Sequence, residues 1–304
     1  MNMNTLAPDR LKELWHCVER KQLTVEEFYL SQEGLLAEHR RTWERALLLE
    51  KDKDLQETFV AELGRYLGCH ERVALEEWCR GGVAAVEEEW QENVDRSDRQ
   101  SVERFYDRSV AYLYDLMWWH TLRDDASPLA YVVALQFAQD HGCQHYLDFG
   151  AGVGSGGILF ARHGLETVLA DISSTLLRFS QWRFAIRNLP VQCIDLKIGR
   201  LPNQAFDVIT AMDVFEHLYD PVGAVEELWN ALKPGGFLIG RFHGEIDEQR
   251  PQHIIQDFGP TFQRLQASAV SRSGGTSGSG ATKCSRKREP RAKRRGLVKM
   301  EGEA

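Results

Sequence analysis

Residues 148–154 read Asp-Phe-Gly-Ala-Gly-Val-Gly, and no other segment of the 304-residue chain suggests chemistry so directly. The run follows a short apolar stretch, 145–149, so Gly150, Gly152 and Gly154 fall on a turn leaving a strand. Glycines there allow a tight turn and let a ligand approach the backbone closely. The same glycines, with Gly157, can also be read as a dinucleotide fingerprint. Asp148 separates the two readings. At the mouth of the turn its charge would repel a pyrophosphate but suit a ligand bearing an ammonium and a sulfonium.

Such a turn needs a sheet behind it. Strand candidates fall at 145–149, 167–171, 191–195, 206–212 and 237–242. Helical stretches lie between them, notably 174–188 and 221–232, the latter opened by Asp220-Pro221. Ser127-Pro128 opens an earlier helix that Gly142 ends. This alternation predicts an α/β fold with a doubly wound, mostly parallel sheet, whose ligands bind beyond the carboxyl ends of the strands. Before it, residues 8–122 read as all helix. Thr24-Val-Glu-Glu27 is a capping-box pattern. Leu55, Phe59, Leu63 and Tyr66 form a helical stripe, with Gly68 as its stop. Six of the eight tryptophans lie in this zone: Trp15, Trp43, Trp78, Trp90, Trp118 and Trp119. At helical spacing they are expected to fill a core; the sharper alternative is that some line a substrate pocket.

Taken in order, these segments resemble the class I S-adenosylmethionine-dependent methyltransferases, a Rossmann-like family. Tyr146–Gly154 resembles that family's first motif. Val168-Leu-Ala-Asp171 resembles the second strand, whose terminal acid accepts hydrogen bonds from both ribose hydroxyls; two carboxylate oxygens suit a vicinal diol. Cys193-Ile-Asp195 resembles the third strand end, where the adenine amino group is contacted. Phe206–Leu218 resembles the fourth strand with its Glu-His-Leu ending, and Leu232-Lys-Pro-Gly-Gly236 the turn into the fifth. The nearest likeness is to bacterial small-molecule enzymes. The resemblance implies S-adenosylmethionine as cofactor, held by Asp148, Gly150, Gly152, Gly154, Asp171, Asp195 and Met212. It implies methyl transfer to a small-molecule hydroxyl or carbon nucleophile, with the helical zone selecting the acceptor.

The sulfonium already activates the methyl group, so catalysis is mostly alignment and exclusion of water. A general base helps a hydroxyl acceptor. His217 and His243 stand near strand ends, although structural roles suit them equally, and no base is assigned. Asp213, Glu216 and His217, with the later His253, resemble the acid-x-x-Glu-His cluster that holds a divalent metal in some family members acting on catechol-like or RNA-terminal hydroxyls. Asp213 is a shorter arm than the usual Glu, and no metal site is expected. The Asn-Pro-Pro-Tyr motif of amino-directed base methyltransferases is absent, as is the Pro-Cys pair of cytosine-5 enzymes.

The family ends its sheet with a hairpin after the fifth strand. Here 258–265 reads as a last helix, and from Ser268 the chain turns to Ser, Gly, Lys and Arg. A disordered tail is expected over 268–304, with Gly296–Met300 too short to replace the hairpin and the fifth strand left as a bare edge. The tail is either a natural basic extension or the product of truncation or a shifted frame. Ten basic residues against three acids give it +7, so with −8 overall the rest of the chain carries −15. An acidic body repels polyphosphate, so nucleic-acid affinity would reside in the tail alone. The organisation is thus a helical region (1–124), a cofactor-binding domain (125–267) and the tail (268–304). Six scattered cysteines fit neither a zinc site nor a disulfide framework. No apolar run is long enough to span a bilayer, no secretory signal opens the chain, and a cytoplasmic protein without a membrane partner is expected. Two alternatives stay open: an NAD-dependent oxidoreductase, and a non-catalytic nucleic-acid binder.

Overall fold

A computed structural model describes residues 4–5, 9–49, 54–242, 250–255, 257–271 and 296–301. The helical region folds as the caps dictate. Thr24 accepts the Glu27 amide while the Glu27 side chain accepts the Thr24 amide, starting α2 (Val25–Leu47) after α1 (Asp9–Glu19). Asp54 caps α3 (Leu55–Leu67), which stops at Gly68 in the left-handed conformation, where a side chain would be strained. α4 (Arg72–Arg80), α5 (Gly82–Asn93), α6 (Arg99–Arg108) and α7 (Ala111–Trp119) follow. A 3₁₀ turn at Ser127–Leu129 leads into α8 (Ala130–Asp140), which ends before Gly142 at φ +65°.

The alternating zone forms β2 (His145–Phe149), α9 (Ser155–Arg162), β3 (Glu166–Asp171), α10 (Ser174–Ala185), β4 (Gln192–Asp195), β5 (Phe206–Met212), α11 (Pro221–Ala231) and β6 (Leu232–Phe242). All pairings are parallel, and these strands lie in the order β4-β3-β2-β5-β6. β6 begins earlier than the expected 237 because Phe206 pairs with Leu232, ahead of a register irregularity between Phe206 and Val208. α12 (Gly259–Ser271) closes the alternation and runs past the expected end of the domain at 267.

The far edge of the sheet requires a correction. β7 (Gly296–Glu301) pairs in parallel with Phe237–Phe242, and β1 (Asn4–Thr5) pairs with β7. The family hairpin is not formed among the described residues, but neither is β6 a bare edge. The sequence argument asked the tail for apolar alternation. Edge pairing is a demand of backbone donors and acceptors, which any extended segment can meet. Residues 272–295, most of the expected disordered tail, lie outside the described residues.

Helices cover both faces. One core cluster runs from the helical region into the sheet, including Leu36, Trp43 and Phe59 with Tyr146, Leu169 and Val208. The opposite face is packed by α11 and α12 through Val225, Leu228 and Leu265. A buried ion cluster also crosses between the regions. Glu62 on α3 accepts from Arg183 Nε (2.6 Å) of α10 and from Arg187 just after that helix, and all three side chains are shielded from solvent. Arg183 Nη1 in turn donates to the Val153 carbonyl (2.7 Å) and Ser155 Oγ (2.8 Å), bracing the glycine turn from behind. The tryptophans divide between the two readings. Trp43 and Trp90 are core, Trp78 is half exposed, and Trp119 faces the cavity described next.

Candidate active site

The glycine turn is built as its sequence suggests. Gly150, Gly152 and Gly154 have φ of +72°, +53° and +73°, and α9 starts immediately after. A Cβ at Gly150 would lie 2.4 Å from a Val214 methyl, so the turn and the end of β5 are in direct contact. Above the carboxyl ends of the strands lies a cavity of about 620 Å³, within the range of small-molecule sites.

Four of the seven sequence-predicted cofactor residues line it: Gly150, Gly152, Asp171 and Met212. Asp171 is also structural. Its Oδ2 accepts the Gly152 amide (2.8 Å) and its Oδ1 the Ser173 amide (2.8 Å), so it locks the turn to the start of α10. Each oxygen keeps a second lone pair for a ligand hydroxyl. Burial raises its pKa, against the pull of those amides.

Asp148, Gly154 and Asp195 do not line the cavity. Asp148 is fully buried beneath the turn rather than standing at its mouth. Its Oδ1 accepts from Tyr131 (3.3 Å) and Thr210 (3.1 Å), while Oδ2 has no hydrogen-bond partner among the described residues. Burial pushes its pKa up to about 7. Asp195 instead pairs with Lys197 (3.1 Å), which also binds Asp107 of α6 (2.8 Å), and the neighbouring Leu196 reaches the cavity.

The helical region contributes Val102 and Tyr106 of α6, and Tyr112, Leu116 and Trp119 of α7, to the cavity lining. Sequence reasoning did not single out these residues beyond Trp119. The available signal was the density of aromatics in 105–119. His217 faces them from a 3₁₀ turn after β5 (Phe215–His217). Tyr106 Oη donates to the Gln252 carbonyl (2.9 Å), and His217 Nδ1 lies 3.0 Å from Tyr106 Oη and 3.2 Å from that carbonyl. These contacts with Tyr106 and the Gln252 carbonyl fix the orientation of the His217 ring. His243, the other candidate base, lies outside the described residues.

Glu216, His217 and His253 each place a ligand atom within 4.8 Å of the others. The chain holds His253 here through Arg96, which donates to its carbonyl (3.1 Å), and through the Ile254 amide, which donates to the Glu216 carbonyl (2.8 Å). Two imidazoles and a carboxylate suit a divalent transition ion. Asp213, the fourth candidate, is not in the group. Its carboxylate pairs with Arg241 (2.7 Å), and at φ +52° it is held in the left-handed region at the cavity wall.

Residues 147–238 match a family described as "Methyltransferase domain". Ubiquinone biosynthesis O-methyltransferase of Coxiella burnetii is 33% identical over 98 residues, 32% of this chain and 42% of the relative. The protein of the same name from Methylobacterium nodulans is 30% identical over 169 residues, 47% of this chain and 62% of the relative. The chain thus spans about half the length of the curated relatives it matches. Among solved structures, the YcgJ protein of Bacillus subtilis is similar at 19% identity and a TM-score of 0.40, over 46% of this chain and 67% of its own. A Haemonchus contortus phosphoethanolamine N-methyltransferase complex is similar at 23% and 0.36, over 41% and 33%. The family match, more than the glycines alone, favours one of the two readings of the turn: residues 147–238 match a methyltransferase domain.

Proposed function

We propose that the chain transfers a methyl group from S-adenosylmethionine to a small-molecule nucleophile, a hydroxyl in the first instance. One observation carries this reading: a single cavity is lined both by the glycine turn and Asp171 and by His217 with Tyr106 and Tyr112. A cofactor on the glycine turn and an acceptor beside His217 would meet inside protein, which aligns the in-line attack and keeps water out. His217 lines the cavity and is the candidate to take the hydroxyl proton, while Gln252 and Tyr106 hold the ring's orientation. The O-methyltransferase names of the relatives support a hydroxyl acceptor. Among the described residues no helix is long and apolar enough to cross a membrane.

The test is calorimetry with S-adenosylhomocysteine and NAD, followed by labelled-methyl transfer to a panel of small phenols and alcohols. Binding of S-adenosylhomocysteine without NAD is expected, and the reverse preference would sink the reading. His217→Gln should lower turnover by about 10²–10⁴-fold, the usual worth of a general base, with cofactor affinity retained.

The grouping of Glu216, His217 and His253 favours a second form of the same reading, in which a divalent cation held by these three residues orients the acceptor. Such an ion would supply Lewis-acid polarisation of a bound hydroxyl. In that form His217 is a ligand, and its loss removes metal affinity together with activity.

A further inference from the structure

Trp119 closes α7 and lies outside the 147–238 stretch that matches the family. It lines the cavity and is only partly buried. Its indole is nevertheless held from two sides. Nε1 donates to Asp125 Oδ2 at 3.1 Å, and Asp125 is itself fixed through Oδ1, which accepts the Ser127 amide (2.7 Å) and hydroxyl (2.6 Å). The ring stacks on His120 (5.0 Å, 28°), which meets Trp43 edge-on (5.6 Å, 71°), and Trp43 stacks on Tyr131 (6.0 Å, 21°). His120, Trp43 and Tyr131 are buried, so Trp119 is the partly exposed end of an aromatic column rooted in the core.

The tyrosines of the cavity lining are engaged differently. Tyr106 and Tyr112 contact each other (5.6 Å, 49°), and each meets Phe105 and His217 edge-on. Among the described residues Trp119 makes one ring contact, with His120. An indole has two faces, and a stack covers one of them. A second flat ring can lie against the other in the offset geometry that aromatic pairs prefer. Ring and anchor are already in place, so little side-chain freedom is lost when a ligand binds.

The anchor also relates this face to the rest of the site. Burial raises the Asp125 pKa, but hydrogen bonds from Ser127 and Trp119 outweigh it, and the Arg241 charge adds to the net fall. Arg241 pairs at 2.7 Å with Asp213, which follows β5 directly and leads to the His217 turn. The anchor is thus within electrostatic reach of the strand end that carries His217.

Resting on the reading that this cavity hosts methyl transfer to a hydroxyl, we propose that Trp119 is a specificity-determining residue, selecting a flat aromatic acceptor by stacking on its ring. A saturated ring of equal size is puckered and cannot lie as closely on an indole face. The contact discriminates by shape and π-character rather than by charge.

The test uses phenol and cyclohexanol, two rings of equal size that each carry one hydroxyl, titrated by calorimetry into the protein saturated with S-adenosylhomocysteine. Phenol should bind the unsubstituted protein more tightly. Trp119→Leu should lower the phenol-to-cyclohexanol affinity ratio by about 2–10-fold, the worth of an aromatic pair beyond its buried area. Trp119→Phe, which returns a flat ring, should recover most of that ratio, and S-adenosylhomocysteine affinity should be unchanged in both variants. Equal binding of the two probes by the unsubstituted protein, no binding of phenol, or an unchanged ratio in Trp119→Leu overturns the proposal. So does a loss of S-adenosylhomocysteine affinity in Trp119→Leu that Trp119→Phe restores, because the indole face would then belong to the adenine ring of the cofactor. Failure of the unsubstituted protein to bind S-adenosylhomocysteine would instead overturn the cofactor reading beneath it.

Discussion

Asp148 offers a sharp physical test of the site, because its carboxylate is buried with one oxygen unanswered among the described residues. Burial moves its pKa from 3.8 to about 7, against the opposing hydrogen bonds from Thr210 and Tyr131. Between those two values the folded protein holds a proton that the unfolded chain has lost. Stability therefore falls as pH rises through this window, and stays low above it. The shift corresponds to about 4 kcal/mol lost by pH 8. Asp148→Asn keeps the shape and an oxygen for Tyr131 and Thr210 but cannot ionise. Thermal unfolding of the two proteins side by side from about pH 5 to pH 8 isolates this group, since every other titration is common to both. The variant's stability relative to the unsubstituted protein should grow by about 2–3 kcal/mol between pH 5 and pH 8, a widening of the midpoint difference by on the order of 5–10 °C. A midpoint difference independent of pH, or one that closes as pH rises, would refute the reasoning, because it would mean that the fold accommodates the ionised carboxylate.

Asp171→Ala should weaken S-adenosylhomocysteine by about 1.5–3 kcal/mol, and should also lower the melting point, because the Gly152 and Ser173 amides lose their acceptors; an unchanged melting point would show that the turn holds itself. Deleting residues 296–304 should lower the midpoint by several degrees, since six residues of β6 lose their pairing partners in β7. An unchanged midpoint would show that the strand contributes nothing to the sheet's stability. For the metal form of the proposed reading, activity should fall with a chelator and return with a divalent ion, and Glu216→Gln should weaken that ion's binding by about 10-fold or more. Activity indifferent to chelation would leave His217 as a base alone.

Much of the fold was legible because its signals are local. Glycines at positive φ, acids at strand ends, the capping box before α2 and the Asp220-Pro221 opening of α11 each depend on a few adjacent residues. The order of strands and helices along the chain then restricts the sheet to very few topologies. What the residues could not show is which groups face one another across the sequence. Asp148 and Asp171 look alike as acids after apolar runs, yet tertiary packing buries one under the turn and sets the other on the cavity wall. Glu216, His217 and His253 come together, while Asp213, the first acid of the same motif, turns to Arg241. The edge of the sheet makes the same point from the other side. Side-chain patterning argued against a strand in the tail, but pairing there is made by the backbone, whose donors and acceptors are the same in every sequence apart from proline. Sequence by itself determined the glycine turn and the parallel sheet, since both are written in short-range constraints on φ and in periodicity. Only the tertiary structure decided the aromatic lining of the cavity, the grouping of Glu216, His217 and His253, and the far edge of the sheet, because each depends on contacts between residues distant along the chain.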